Sequence, residues 1–164
     1  MSLLDIAQWL QDTSISTGIR ESVWTFPIIE TTHLMALAFS VGIIIFVDLR
    51  LIGAALRDQP FTEVFHRLQP MALKGFVVNV VSGGLLFLSE PVKCYHSTYF
   101  MIKLVLLFLL GVNAIGFQYI TYPTVSAWDK AMATPFGARL AGWASLLFWL
   151  GVIVMGRAIA YAGH

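Results

Sequence analysis

Long apolar stretches separated by short polar ones are the main pattern of this chain. Four of the apolar stretches can cross a hydrocarbon core of about 30 Å as helices that rise about 1.5 Å per residue. They lie at about 27–55, 71–89, 98–121 and 140–162. A polar connection at 56–69 joins the first two. We therefore predict an all-α fold, a four-helix bundle of transmembrane helices, in a single membrane domain over 1–164.

The stretch before the first span has a different pattern. At about 2–11, apolar residues recur near helical spacing, while Asp5, Gln8 and Gln11 take the opposite side. This pattern predicts a short amphipathic helix that lies in the membrane interface. The following residues, 13–21, are polar and contain a glycine, and we predict a turn there.

Composition supports a membrane protein and excludes several other classes. Hydrophobic residues make up 58% of the 164 residues and charged residues 12%, against about 25% charged in a typical soluble domain. The formal net charge is +1 and no basic run is present, so we predict the lipid bilayer, and no nucleic acid, as a partner. The single cysteine, Cys94, excludes an internal disulfide and a Cys-x-x-Cys metal site.

The distribution of lysine and arginine predicts the orientation of the spans, because loops on the cytoplasmic side carry an excess of them. The loops after spans one and three, with their flanks, hold six: Arg50, Arg57, Arg67, Lys74, Lys130 and Arg139. The opposite side holds four: Arg20, Lys93, Lys103 and Arg157. We therefore predict a protein of the bacterial inner (cytoplasmic) membrane with both termini in the periplasm.

Four ionisable residues fall inside the predicted spans near the outer face. Each such group costs roughly 2.5–3.5 kcal/mol on insertion scales unless it is paired or functional. Glu30 and His33 on span one, Lys103 on span three and Arg157 on span four all lie roughly 5–10 Å below the outer surface. Three spans thus place ionisable side chains at the same depth in the membrane.

Helical phase places Glu30 and His33 on one inward stripe of span one, and Gly75, Asn79 and Gly83 form a stripe of mostly small residues at i+4 spacing on span two. A histidine beside a glutamate, facing such a stripe, predicts a haem b site. Neutral imidazole is an axial ligand of haem iron, and we predict His33 as one ligand and His96 as the second. Lys103, Arg157 or Arg20 would meet the propionates, and Glu30 could instead hold the non-ligating nitrogen of a histidine. The predicted function is electron transfer, between quinol and a periplasmic redox partner.

The same residues allow a structural interpretation. Glu30 would pair with Lys103 or Arg157 to tie helices together, and the chain would be an accessory subunit of a larger membrane complex. Four short spans expose much helix surface, so a homodimer is a further expectation. On the inner side, helical phase directs Asp48 into the bundle, and we expect Arg50 to reach the headgroups.

Three stretches carry a resemblance: IIETTHLMALAFSVGIIIFVDLRLIG at 28–53, FMIKLVLLFLLGVNAIGFQ at 100–118 and GRAIAY at 156–161. They resemble an uncharacterised family of bacterial four-helix inner-membrane proteins. More loosely, the four-span layout with Phe100 and Lys103 is similar to the copper-resistance D type and to the HemJ-type protoporphyrinogen oxidase. The latter resemblance implies a haem b held by helix histidines, which points to His33, and a porphyrinogen oxidase as a further alternative.

Overall fold

The computed structural model describes residues 2–131 and 133–161. This part of the chain contains helices and no strand, which confirms the predicted all-α class. The helices are α1 (Leu3–Gln11), α2 (Ser14–Glu21), α3 (Thr25–Ile52), α4 (Phe61–Ser89), α5 (Pro91–His96), α6 (Thr98–Gly116) and α7 (Phe136–Tyr161). Of these, α3, α4, α6 and α7 are long and apolar enough to cross a membrane.

Side-chain caps define the two amphipathic helices that precede α3. The Ser2 hydroxyl accepts from the amide of Asp5, and the amide of Ser2 donates to the Asp5 carboxylate at 2.7 Å, which makes α1 begin as predicted. The predicted turn at 13–21 is wrong. The Thr13 side chain accepts from the amide of Ser16 and starts α2 there.

The second long helix begins earlier than the predicted span. We predicted a polar connection at 56–69, whereas α4 begins at Phe61. The first turns of α4 are amphipathic, with Phe61 and Val64 buried and Glu63, His66 and Arg67 exposed. Polar content alone therefore did not distinguish a loop from the end of a helix.

The third long helix changes its geometry before it ends. After Gly116, a π-helical turn at Phe117–Thr121 and a 3-10 turn at Tyr122–Ala127 continue it. Pro123 has no amide hydrogen and stands where the regular hydrogen-bond pattern has already been lost. The α-helical part is thus shorter than the predicted span at 98–121.

The long helices pack in the spatial order α4, α3, α7, α6. One end of the bundle holds α1, α2 and α5, and we call it the amphipathic end. The other, the loop end, holds the α3–α4 and α6–α7 connections and a core of Leu51, Phe61, Phe117, Trp128 and Ala138. A second core, of Val41, Leu110, Trp149 and Val152, fills the middle.

Candidate functional site

His33 lies half-buried where α3 packs on α4, and its hydrogen bond defines its tautomer. The Nδ1 atom is 2.9 Å from the Ser82 hydroxyl oxygen. Ser82 has one hydroxyl proton, which it directs at backbone carbonyls of its own helix, at 2.7 Å in the case of Val78. The Ser82 oxygen therefore accepts from Nδ1–H, and Nε2 keeps a free lone pair.

Small residues on α4 allow this close approach. A Cβ atom on Gly83 would lie 3.1 Å from the Cε1 atom of His33, and one on Gly75 would lie 3.0 Å from the side chain of Ser40. Between these two contacts, Asn79 donates from Nδ2 to the Ser40 hydroxyl at 3.1 Å. The predicted stripe of small residues therefore faces α3, which packs directly against it.

Lys103 is the second predicted site residue that lies near this interface. It is half-buried on α6, and its Nζ atom lies 3.5 Å from the position that a Cβ atom of Gly156 on α7 would take. Its ammonium group is close enough to act electrostatically on the imidazole of His33. His33 and Lys103, from helices far apart in sequence, thus belong to one region.

The other predicted site residues have different surroundings. Glu30 is exposed, and so is Arg157, which donates to the Tyr161 hydroxyl at 2.8 Å and stacks on that ring. Within the described residues, the one salt bridge joins Lys93 to Glu90, so the expected pairing of Glu30 with Lys103 or Arg157 is not formed.

His96 is exposed on α5 and lines a pocket of about 310 Å³ at the amphipathic end. The pocket also contains Arg20, Lys93 and Glu90, and His33 does not line it. Over 2–131 and 133–161, no group of three or more His, Cys, Asp or Glu side chains gathers as a metal site would. That His33 and His96 bind one iron stays a prediction.

Arg50 was expected to reach the headgroups, and this is wrong. Its side chain is fully buried at the loop end. Nε donates to the carbonyl of Gln59 at 3.0 Å and Nη2 to the carbonyl of Asp129 at 3.2 Å. The chain turns back directly after α3 through Gly53, whose φ of +81° is left-handed, so loop carbonyls lie within reach of the guanidinium.

Asp129 completes this connection between the two loops. Its carboxylate accepts from the amide of Thr62 at 2.7 Å and from the Thr62 hydroxyl at 2.9 Å, and its carbonyl also accepts from the amide of Phe61. Asp129 therefore caps the start of α4 from a distant part of the chain. The sequence offered no signal for this contact, because the residues are far apart along the chain.

The fold also forms a groove of about 780 Å³ between α3 and α4. Apolar side chains line most of it, including those of Trp24, Met35 and Phe39, and Lys74 is its one charged residue. His33 does not contribute to the groove. The groove and the His33 region are therefore separate features of the same helix pair.

Comparison with known proteins gives one match. A family described as a family of unknown function, DUF6644, matches residues 20–162. No curated protein and no solved structure matches the chain. The looser similarities to the copper-resistance D type and to the HemJ type stay predictions. The match covers nearly all of the chain, from the end of α2 through α7, and the chain belongs to the DUF6644 family of unknown function.

Proposed function

We propose that this protein binds haem b through His33 and transfers electrons in the bacterial inner membrane. The observation that carries the proposal is the 2.9 Å contact between the Nδ1 atom of His33 and the Ser82 hydroxyl oxygen. Ser82 holds the Nδ1–H and leaves the Nε2 lone pair free, which is the form of imidazole that ligates iron.

The residues around His33 fit such a group. Gly83 has no side chain where a Cβ atom would come within 3.1 Å of the imidazole, so the ring keeps its place against α4. Lys103 supplies a positive charge in the same region, as a propionate requires. When bound, haem would supply one-electron chemistry, and its potential would respond to this local charge.

The remaining parts of the proposal rest on the sequence. His96 is the proposed second ligand, and Glu30 and Arg157, exposed at the same end, are available to headgroups or to a partner. A quinol and a periplasmic redox protein are the proposed donor and acceptor. The excess of cations around the loop end supports a cytoplasmic position for that end and a periplasmic position for both termini.

Visible spectra of the purified protein test the proposal. The wild type, expressed with ample haem, should give a Soret band, and sharp α and β bands after dithionite reduction. His33→Ala should abolish the Soret band, and Ser82→Ala should weaken or shift it. His66→Ala is the matched control, because His66 pairs with the Tyr122 hydroxyl at the loop end, and its spectrum should equal that of the wild type. A featureless wild-type spectrum, or an unchanged His33→Ala spectrum, would refute the proposal.

A second function, accessory subunit of a larger membrane complex, is supported by the surface of α6. Of its 19 residues, only Leu110 is buried. A helix that packs so little within its own chain offers a long apolar face to a neighbouring protein or to a second copy. Purification in a mild detergent with a fixed stoichiometric partner, together with a featureless spectrum, would favour this function over haem binding.

A further inference from the structure

A buried carboxyl at the α3–α7 interface takes no part in the proposed haem site. Asp48 is 4% exposed, and its Oδ2 atom has no hydrogen-bond partner among the described residues. From α7, the buried side chain of Ser145 is the neighbouring polar group. Gly142 lets α7 approach closely, because a Cβ atom there would lie 3.1 Å from the Asp48 carbonyl oxygen. Helical phase predicted that Asp48 faces the bundle, and this is confirmed.

No cation in the part of the chain that the structure describes compensates this carboxyl. Arg50 is the nearest in sequence, but its guanidinium donates to the carbonyls of Gln59 and Asp129. Two α7 residues, Ser145 and Gly142, meet Asp48, and neither of them is titratable. No charged side chain of the described chain acts on Asp48 at close range. An ionised carboxylate here would be an unpaired charge in a medium that cannot solvate it, and such charges cost several kcal/mol.

We propose that Asp48, with Ser145, is a proton-binding site inside the membrane: the carboxyl carries a proton and exchanges it with water at the loop end. Protonation removes the charge and turns one carboxyl oxygen into a donor. The ligand is a proton rather than a metal ion, because hard cations need about six oxygen ligands and the site offers one carboxyl and one hydroxyl.

The position of Asp48 explains why exchange would occur at the loop end. The residue precedes the last residue of α3, Ile52, by about one helical turn, or about 6 Å along the axis. The polar groups of Arg50 and Thr134 lie beyond it, both hydrogen-bonded to loop or helix-end carbonyls. In the other direction, the packed side chains of Val41 and Trp149 close the interior. This inference needs no haem and goes beyond the proposed function.

Infrared difference spectroscopy of the full chain in lipid nanodiscs tests the proposal at neutral pH. Subtracting the Asp48→Asn spectrum from that of the wild type should leave the C=O stretch of one protonated carboxyl. Transfer from H₂O to D₂O should shift that band to lower frequency as the buffer exchanges. Asp58→Asn removes an exposed loop carboxylate and is the matched control, in which the band should remain.

Each outcome decides the question. No carboxyl band in the difference spectrum overturns the proposal, because Asp48 would then be ionised. A band that does not shift in D₂O also overturns it, because the proton would be sealed in the fold. Ser145→Ala should move the band to higher frequency through loss of the hydroxyl contact. If Asp48→Asn fails to fold, as judged by helicity and gel filtration, the band shift in Ser145→Ala becomes the test of the assignment to Asp48. An unshifted band in Ser145→Ala would then count against the proposal.

Discussion

Replacing Arg50 by glutamine should destabilise the fold by several kcal/mol. The buried guanidinium makes two charge-assisted hydrogen bonds, to the carbonyls of Gln59 and Asp129. Such bonds contribute about 1.5–3 kcal/mol each, so their loss amounts to about 3–6 kcal/mol. Water at the loop end can reach the freed carbonyls and recover part of this, and we expect a net loss of about 3 kcal/mol.

The assay uses the single cysteine of the chain. Cys94 is buried, so a thiol-reactive fluorogenic dye reports its exposure during thermal unfolding in detergent, with helicity as a second signal. For a chain of this size, about 3 kcal/mol corresponds to a fall in Tm of roughly 6–12 °C. The Tm of Arg50→Lys should lie between those of the wild type and Arg50→Gln, since one ammonium group cannot donate in the two directions that the planar guanidinium does.

The matched control for this substitution is Arg67→Gln. Arg67 is exposed on α4, and no hydrogen bond to its side chain is found in the described chain. Its Tm should stay within about 2 °C of the wild type, because substitutions at such sites usually change stability by at most about 0.5 kcal/mol. If Arg50→Gln behaved like Arg67→Gln, the buried guanidinium would not join the two loops as described, and the reasoning would fail.

Three further predictions concern other contacts. Asp129→Ala removes the carboxylate that caps α4 and should lower Tm through a loss of about 2 kcal/mol; an unchanged Tm would contradict the capping role. Gly83→Leu should destabilise by at least about 1–3 kcal/mol, because its Cβ atom already meets the facing imidazole, whereas Gly84→Leu, with nothing within 4 Å, should be neutral; equal effects would contradict this packing. Burial, and secondarily a nearby glutamate, raises the pKa of the Cys94 thiol above its ordinary 9.0, so the folded chain holds this proton longer than the unfolded chain. The contribution of Cys94 to stability should be constant below about pH 9 and fall above it, and Cys94→Ser should lack that part of the fall in pH-dependent unfolding.

The sequence was most informative where one physical requirement decides the structure. A bilayer leaves no partner for unpaired backbone groups, so four long apolar stretches must be helices. The capping residues of α1 were equally local, because Ser2 and Asp5 lie three residues apart. The start of α4 was harder to predict from the sequence. Phe61 is buried by contacts with Phe117 and Trp128, which come from distant parts of the chain.

The candidate site was predictable in part, for the same reason. Helical phase placed His33 on an inward stripe and Gly83 on a stripe of small residues, and the two meet. The tautomer of His33 could not be predicted, because it depends on where the Ser82 hydroxyl directs its one proton. The position of the Arg50 side chain was predicted wrongly for a related reason. Its partners are backbone carbonyls of loops, and every residue has a carbonyl, so the sequence does not indicate which ones are near.

The polar groups on α3 are better understood as two sites than as one path across the membrane. His33 lies towards the amphipathic end and Asp48 towards the loop end, about 22 Å apart along the helix axis. Between them, the buried side chains of Val41, Trp149 and Val152 pack closely. Ser40 extends the His33 region by hydrogen bonding to α4, but it stops two turns short of Asp48. The proposed haem site near one face and the proposed proton site near the other would therefore share one helix, with the packed side chains of the second core between them.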